Sequence, residues 1–305
     1  MTIANGAQHS LHYVAESTYG TTPSTPSYKP MPHTGTTLAM TKDAIESEKL
    51  RGDRQVEDFR HGNKSIGGDV TAELEYGAFD DILEAALCGT WATDVLKAGT
   101  TRRSFTLERE FGDLATVEYH RFTGCEVNSI ALSVAPNQMV TLTIGWIGKD
   151  MTLNTSKVTG STYAADAGET PFDSFTGSIS EGGSTIATVT ALELTLENGI
   201  EPLFSVGSST TNRPAIGKSR VTGSLTTYFE SKTLFQKFVN ETSSSISLVL
   251  TDLDGNDYTI DLSNVKYNSG QPDVAGEGAV TVAMDFVGLY DSTDQSNIKI
   301  TRSTA

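Results

Sequence analysis

The sequence predicts a mainly β protein with one short helix per repeat, built as two tandem β-sandwich or β-barrel domains. Alternating apolar and polar residues, as in VTAELEY at 70–76 and SISLVLTDL at 245–253, are typical of strands with one buried face. Only two segments, 79–89 and 231–240, have the apolar spacing of a helix. The order of strands and helix also repeats along the chain, which indicates two similar units.

Similar short sequences recur in the same order in the two halves. Their spacing falls from 154 residues near Leu38 to 140 residues near Val140, as loop deletions in the second copy would produce. The matched pairs are LAMT at 38–41 and LELT at 192–195, VTAEL at 70–74 and VTGSL at 221–225, SFTLEREFGD at 104–113 and SLVLTDLDGN at 247–256, CEVNS at 125–129 and VKYNS at 265–269, and VTLTIGWIG at 140–148 and VTVAMDFVG at 280–288.

This series predicts a duplicated domain. Residues 1–153 form the first domain, the Ser/Thr/Gly-rich segment 154–188 connects the two, and residues 189–305 form the second. The alternative is a single large β domain whose strands resemble one another only in a general way.

Composition excludes several classes of protein. The 305 residues carry a formal net charge of −16 with no basic patch, so a surface that neutralises nucleic-acid phosphates is not expected. Cys88 and Cys125 are too few for a disulfide framework and are expected to be buried thiols. The sequence shows neither a signal peptide nor a run of 18 apolar residues, so we expect no membrane segment.

Motifs for catalysis and ligand binding are incomplete. NRPAIGKS at 212–219 resembles a phosphate-binding loop, but Asn212 replaces the first glycine and a strand follows. DLDGND at 252–257 suits a hairpin turn better than a calcium loop, which needs flanking helices and a closing glutamate. The histidines have no carboxylate or cysteine at ligand spacing. We therefore predict no enzyme activity, no cofactor and no metal.

The segment 42–65 mixes acidic and basic residues with spaced apolar side chains. A loop of this length inside a compact unit is uncommon and often functional, and complementary charges can set the register of a repeated protein contact. Contact with a neighbouring protein is therefore favoured over a merely solvated loop. The candidate contact residues are Glu46, Glu48, Arg51, Asp53, Arg54, Glu57, Asp58, Phe59 and Arg60.

Together these features resemble the major tail tube proteins of bacteriophages with long, non-contractile tails. ESTYGTTP at 16–23 is similar to the E-x-x-x-G-x-x-P opening of that family. The succession of strand, long loop, strand and short helix is also similar, as is the tandem copy found in tube proteins with a duplicated tube domain. The resemblance spans nearly the whole chain, although the second half lacks both the ESTYGTTP opening and the charge of the long loop.

The resemblance implies a structural protein of the virion tail, assembled in the host cytoplasm. Its rings would stack into a tube whose strands form an inner β-barrel, and the long loop would reach the adjacent ring. DNA would pass through the lumen without specific binding. The implied partners are further copies of the chain, the tape measure protein, the tail terminator and the distal tail protein. Two domains per chain predict three chains per ring with pseudo-sixfold symmetry, and six chains per ring is the alternative.

In such a tube, a negative wall would repel phosphates and let DNA slide. Alternation along each strand places the polar residues on one face, which is either the lumen or the outer solvent. The lumen-facing candidates are Thr71, Glu73, Glu75, Thr141, Thr143, Thr222, Ser224, Thr226 and Asp285.

A two-domain β-sandwich adhesin or a capsid decoration protein is the second hypothesis. Two immunoglobulin-like units with a flexible linker would also repeat their strands. The short helix in each copy, the long charged loop and the lack of disulfides argue against it. A stable monomer that binds a surface ligand would favour it.

Overall fold

The computed structural model describes residues 3–50, 52–272, 274 and 276–305, and strands dominate it. Up to residue 154 the elements are β1 (His9–Ala15), β2 (Ser27–Pro30), β3 (Gly35–Thr36), β4 (Ala39–Glu46), β5 (Phe59–Glu73), α1 (Asp80–Ala86), β6 (Val95–Lys97), β7 (Phe105–Phe111), β8 (Glu118–Val134), β9 (Thr141–Gly148) and β10 (Asp150–Asn154). They continue as β11 (Thr162–Tyr163), β12 (Ser178–Glu181), β13 (Ser184–Thr185), β14 (Val189–Glu197), β15 (Glu201–Leu203), β16 (Asn212–Ala215), β17 (Arg220–Tyr228), α2 (Thr233–Val239), β18 (Ser244–Thr251), β19 (Asp257–Tyr267), β20 (Thr281–Gly288) and β21 (Lys299–Ser303). The predicted mainly β class, with one helix in each half, is confirmed.

Eight strands form one continuous antiparallel sheet, which we call the wall. Its order is β4–β5–β9–β8–β14–β17–β20–β19, so four strands of the first half are followed by four of the second. The halves are joined where β8 pairs with β14, from Val134 opposite Leu192 to Ser129 opposite Glu197. We call this pairing the internal seam. It makes one sheet out of what would otherwise be two four-stranded sheets.

The long strands β8 and β19 also take part in a second layer. The N-terminal part of β8 pairs with β7 and β10, and that of β19 pairs with β18 and β21. Phe105 on β7 lies against Trp146 on β9, with ring centroids 5.9 Å apart, so the second layer packs on the wall. The buried side chains of both halves form a single apolar cluster, as expected for two sheets that each bury one face.

Hydrogen-bond register shows that the two halves have the same strand arrangement. Val127 lies opposite Trp146 on β8 and β9, and Tyr267 lies opposite Phe286 on β19 and β20, a spacing of 140 residues on both strands. The β7–β8 pair has a bulge between Phe105 and Leu107, and the β18–β19 pair has one between Ser244 and Ile246. Strand order and bulge position therefore agree between the halves.

Three of the spacings between the halves that sequence similarity predicts differ from the spacings that the strand register gives. Ile66 and Val221 occupy the same position, opposite Gly148 and Gly288, so β5 and β17 are 155 residues apart rather than 151. In the same way β7 and β18 are 139 apart rather than 143, and β4 and β14 are 156 apart rather than 154. Each error is an even number of residues. Since side chains alternate with a period of two, the predicted faces are unchanged.

The segment 154–188 contains short strands and packs on both halves. Phe172 is fully buried, its N–H donates to the carbonyl of Leu74, and its own carbonyl accepts from the N–H of Val140. Further along, β12 pairs with β18. By contrast Phe175 is 73% exposed. The connecting segment is therefore tied to the wall through Phe172 rather than looping freely between the halves.

Several local predictions are confirmed. Cys88 and Cys125 are buried free thiols, and burial raises the pKa of both. The segment 252–257 is a tight turn between β18 and β19, with Gly255 at φ 86°. Asp252 Oδ1 accepts from the N–H groups of Asp254 and Asn256, at 2.9 and 2.8 Å, and these bonds hold the turn.

Candidate assembly surfaces

The lumen-facing candidates lie on one face of the wall. Register places Thr71 opposite Thr143 and Glu73 opposite Thr141 in the first half. In the second half Ser224 lies opposite Asp285. The intervening residues, such as Val70, Leu142 and Leu225, are buried on the opposite face. Thr222 and Thr226 share the face of Ser224 because they are two residues away on β17, and Glu75 continues the face of Glu73 just beyond β5.

Rows of residues that lie opposite one another on neighbouring strands extend this face across the internal seam. One row runs from Glu73 through Thr141, Ser133, Glu193 and Ser224 to Asp285, each opposite the next. We call this surface the polar face of the wall. It is continuous over both halves because β8 and β14 hold the rows in register.

Residues on β8 and β14 complete the polar face and are absent from the predicted set. The alternation in SIALSV and in VTALELTL is visible in the sequence, but it does not reveal that these two strands are neighbours. The residues that complete the polar face are Ser129, Ala131 and Ser133 on β8 and Glu193, Thr195 and Glu197 on β14. From β5 to β20 the polar face includes the acidic residues Asp69, Glu73, Glu193, Glu197 and Asp285 and the basic residue Arg220.

The predicted contact loop forms an arm that extends the β4–β5 hairpin. We call residues 44–61 the first arm. The N–H of Ser47 donates to the carbonyl of Asp58 at 3.0 Å, and Lys49 pairs with Glu57 at 2.9 Å. Arg60 pairs with Asp58 at 3.1 Å. The predicted contact residues in the described part of this arm are all exposed, namely Glu46, Glu48, Asp53, Arg54, Glu57, Asp58, Phe59 and Arg60. Arg51 lies outside the described residues.

Both arms present apolar side chains to solvent. In the first arm Leu50 is 97% exposed and Phe59 is 50% exposed. The β15–β16 hairpin, residues 201–215, follows β14 as the first arm follows β4, and we call it the second arm. Its Val206 is fully exposed. The N–H of Lys64, on β5 just beyond the first arm, donates to the carbonyl of Ser209 at 2.7 Å. The second arm therefore contacts the base of the first, and both leave the wall on the same side.

The two open edges of the wall are formed by strands that correspond to the two strands paired at the internal seam. In the described part of the chain, β4 has no strand beyond it, and neither has the stretch from Lys266 to Ser269 at the end of β19. By register β4 corresponds to β14, and β19 corresponds to β8. Unpaired edges are templates for pairing with another strand.

The ESTYGTTP motif has a structural role at the end of β1. Glu16 Oε2 accepts from the N–H of Gly20 at 2.7 Å and from Ser104 Oγ at 2.8 Å. Glu16 Oε1 accepts from Thr106 Oγ1 at 2.8 Å and from the N–H of Gly124 at 2.9 Å. Gly20 has φ 72°, a conformation that favours glycine. One carboxylate thus ties the turn after β1 to β7 and β8.

A family model described as "Phage tail tube protein" matches residues 6–288. The chain belongs to the phage tail tube protein family. It is a structural, non-enzymatic protein of the virion tail, as the resemblance implied. The family assignment favours a tube subunit over an adhesin or a decoration protein. No curated protein matches the chain.

Among the described residues no helix is long and apolar enough to cross a membrane. Within the same ranges, no group of three or more His, Cys, Asp or Glu side chains is arranged to hold a metal ion.

Glu75 has an unusual environment at the end of the polar face. Burial raises its pKa to about 7, and the nearby carboxylates of Asp166, Glu73 and Glu169 contribute in the same direction. The charged form is therefore disfavoured in the folded tail tube protein. Because the folded state holds the proton more tightly than the unfolded state, stability from this group falls as pH rises from 4.5 to about 7.

Glu75→Gln is accordingly expected to stabilise the protein at pH 8 and to have almost no effect at pH 5. We expect a gain of about 1 kcal/mol after allowing for the partial exposure of Glu75, or roughly 1–2 °C in Tm. Thermal unfolding at the two pH values measures it. Glu193→Gln, an exposed glutamate on the same face, is the matched control. An equal Tm shift at both pH values would contradict the assignment.

Proposed function

We propose that three chains close into a ring and that the rings stack into the tube of a long, non-contractile tail, through which DNA is ejected. The observation that carries this proposal is the pair of open edges on a wall whose two halves share one strand arrangement. Each chain supplies eight wall strands and one internal seam. Pairing β19 of one chain with β4 of the next would repeat that seam between chains. This contact is head-to-tail, and such contacts form a ring when the rotation between neighbouring chains closes.

The internal seam predicts the register of this contact. Leu196 lies opposite Ile130 and Glu197 opposite Ser129. The corresponding residues at the open edges place Met40 opposite Gly270, and Thr41 opposite Ser269, of the neighbouring chain. The duplicated domain, with the boundaries 1–153 and 189–305, is part of this proposal because the equivalence of the two halves supports it.

We assign the polar face of the wall to the lumen. The opposite face is covered by the second layer and by α1, so closing the wall into a barrel leaves the polar face for the interior. Its excess of carboxylates would repel DNA phosphates and keep DNA from binding to the wall. The tape measure protein would occupy the same lumen before DNA, and the tail terminator and distal tail protein would bind the ends of the tube.

The mass of an isolated ring tests the stoichiometry. Three chains of 32.6 kDa give about 98 kDa. Native mass spectrometry of the purified protein, combined with negative-stain images, measures this mass and shows whether rings or tubes are present. A ring of six chains would reject the trimer and keep the tube. A protein that stays monomeric at high concentration would reject the tube subunit.

The first arm is proposed to contact the adjacent ring. Arms of both halves leave the wall on the same side, and the first carries exposed charges of both signs around exposed apolar groups. The double variant Arg54→Glu and Arg60→Glu is expected to form rings that do not stack, because it replaces attraction by repulsion at a repeated contact.

The number and length of tubes in negative-stain images measure this effect, and we expect the concentration needed for tubes to rise at least about 10-fold. The matched control is Arg54→Lys with Arg60→Lys, which keeps both positive charges. Normal tubes from the charge-reversed variant would remove the stacking role from the first arm.

A further inference from the structure

The two helices occupy corresponding places but differ in burial. α1 follows β5 and buries Ile82, Leu83, Ala85 and Ala86. α2 follows β17 in the same way, yet none of its side chains is buried. Val239, the last residue of α2, is 56% exposed, whereas Ala86 at the end of α1 is fully buried. The apolar helix face that is buried in the first half is therefore only partly covered in the second, where Leu234 and Phe238 pack against the core and Val239 is exposed.

Part of the cover of α1 comes from the second half of the chain. Leu83 and Leu87 share a small apolar cavity with residues of the opposite half, and the hydroxyl of Tyr258 donates to Asp80 Oδ1 at 2.6 Å. Arg302 pairs with the same carboxylate. The apolar residues of the second half that line this cavity are Leu194, Leu196, Tyr258, Ile260, Ile298 and Ile300. α1 thus reaches across the internal seam.

Register identifies the corresponding surface on the first half. On β21, Ile300 lies opposite Ile260 of β19, and on β10, Leu153 lies opposite His120 of β8. Leu153 therefore corresponds to Ile300, and by the same pairing Met151 corresponds to Ile298. Ile300 is 3% exposed and Leu153 is 68% exposed. The first half has a corresponding surface, but no helix among the described residues covers it.

We infer that α2 of one chain packs on Met151, Leu153 and His120 of the next chain in the ring. This inference rests on the proposed ring, since it places α2 at the same contact as the β19–β4 pairing. The partner is a second copy of this chain, because the chain itself contains both the open helix face and the open surface. The equivalent contact within one chain is seen at the internal seam, where α1 packs on the second half.

Charge at the two positions fits this assignment. Tyr258, which binds the first turn of α1, corresponds to Glu118 on the first half, and the residue that precedes α2 is Lys232. Between chains, the carboxylate of Glu118 on the sheet would thus meet the ammonium group of Lys232 beside the helix. In the internal contact the charges are reversed, since Asp80 on the helix pairs with Arg302 on the sheet. His120 and Glu118 also make the open surface more polar than its buried counterpart. That polarity keeps the free chain soluble before assembly.

Two single variants and their mixture test the contact. Leu153→Asp removes the receiving surface, and Val239→Asp removes the helix face. Both side chains are more than half exposed, so each variant should unfold within about 2 °C of the unmodified protein. We expect at least a 100-fold loss of ring formation for each alone. Leu253→Asp, at a 75% exposed leucine in the β18–β19 turn, is the control and should assemble normally.

The mixture distinguishes this contact from a general loss of solubility or folding. A Leu153→Asp chain keeps its helix, and a Val239→Asp chain keeps its receiving surface. An equimolar mixture should therefore form one-to-one dimers with a single intact contact, detected by analytical ultracentrifugation, and no rings. If the unmodified protein forms rings and both variants do too, the helix contact is wrong and the ring stands. If the unmodified protein forms none, both proposals fail.

Discussion

Met40→Pro is expected to abolish ring formation while leaving the chain folded. The N–H of Thr37 donates to the carbonyl of Asp69 directly opposite, so alternate residues of β4, including Met40, direct their N–H and C=O groups away from β5. Proline at this edge position removes a donor that the wall does not use. In the ring, the same donor would bond to the neighbouring chain.

The expected loss is about 10-fold for one contact, and three contacts per ring multiply it to roughly 1000-fold. Sedimentation velocity over a range of concentrations measures it. Met40→Val is the matched control, because it changes the packing of the same partly buried side chain and keeps the N–H. Equal assembly of the two variants would show that β4 is not a pairing edge, whereas loss in both would point to side-chain packing.

Glu16→Ala is expected to be among the most destabilising single changes on the surface of this protein. It removes an acceptor for four donors, two of which are backbone N–H groups in tight turns. Hydrogen bonds to a charged group contribute about 1.5–3 kcal/mol each, and donors left unpaired add a desolvation cost. Because some donors can turn to water, we expect a loss of about 3–4 kcal/mol in the free energy of unfolding.

Urea unfolding followed by circular dichroism measures this loss. Glu16→Gln should lie between the unmodified protein and Glu16→Ala, since an amide offers one acceptor oxygen and places its NH2 group against the donors on the other side. Glu201→Ala, at an exposed glutamate of the second arm, should change stability by less than about 0.5 kcal/mol. A similar effect of Glu16→Ala and Glu201→Ala would show that the motif does not act through these bonds.

The internal seam and the proposed seam between chains differ in chemistry, although their strands correspond. The internal seam is flanked by aliphatic residues such as Ile298 and Ile300, which are buried within the single chain. The outer one has Met151 and Leu153 in the corresponding places, and His120 where the internal seam has Ile260. A surface that must remain in water before assembly and be buried afterwards cannot be as apolar as a core. Two corresponding halves within one chain allow the two seams to differ, which six identical single domains would not.

Alternation and helical spacing were sufficient for much of the fold. They predict the strands, both helices and the face to which Thr71, Ser224 and Asp285 belong. These features depend on residues close together in the chain, where a side-chain period of 2 or 3.6 is visible directly. Even the mistaken spacings between the halves preserved the faces, because each was wrong by two or four residues.

Only the tertiary structure shows which strands are neighbours. The pairing of β8 with β14 brings Ser133 beside Glu193, residues 60 positions apart, and it turns two sheets into one wall with two open edges. The four donors that meet at Glu16 likewise come from three separate stretches of chain. The sequence by itself determined the faces of the strands. Their order was decided by long-range hydrogen bonding and packing, which no local period encodes.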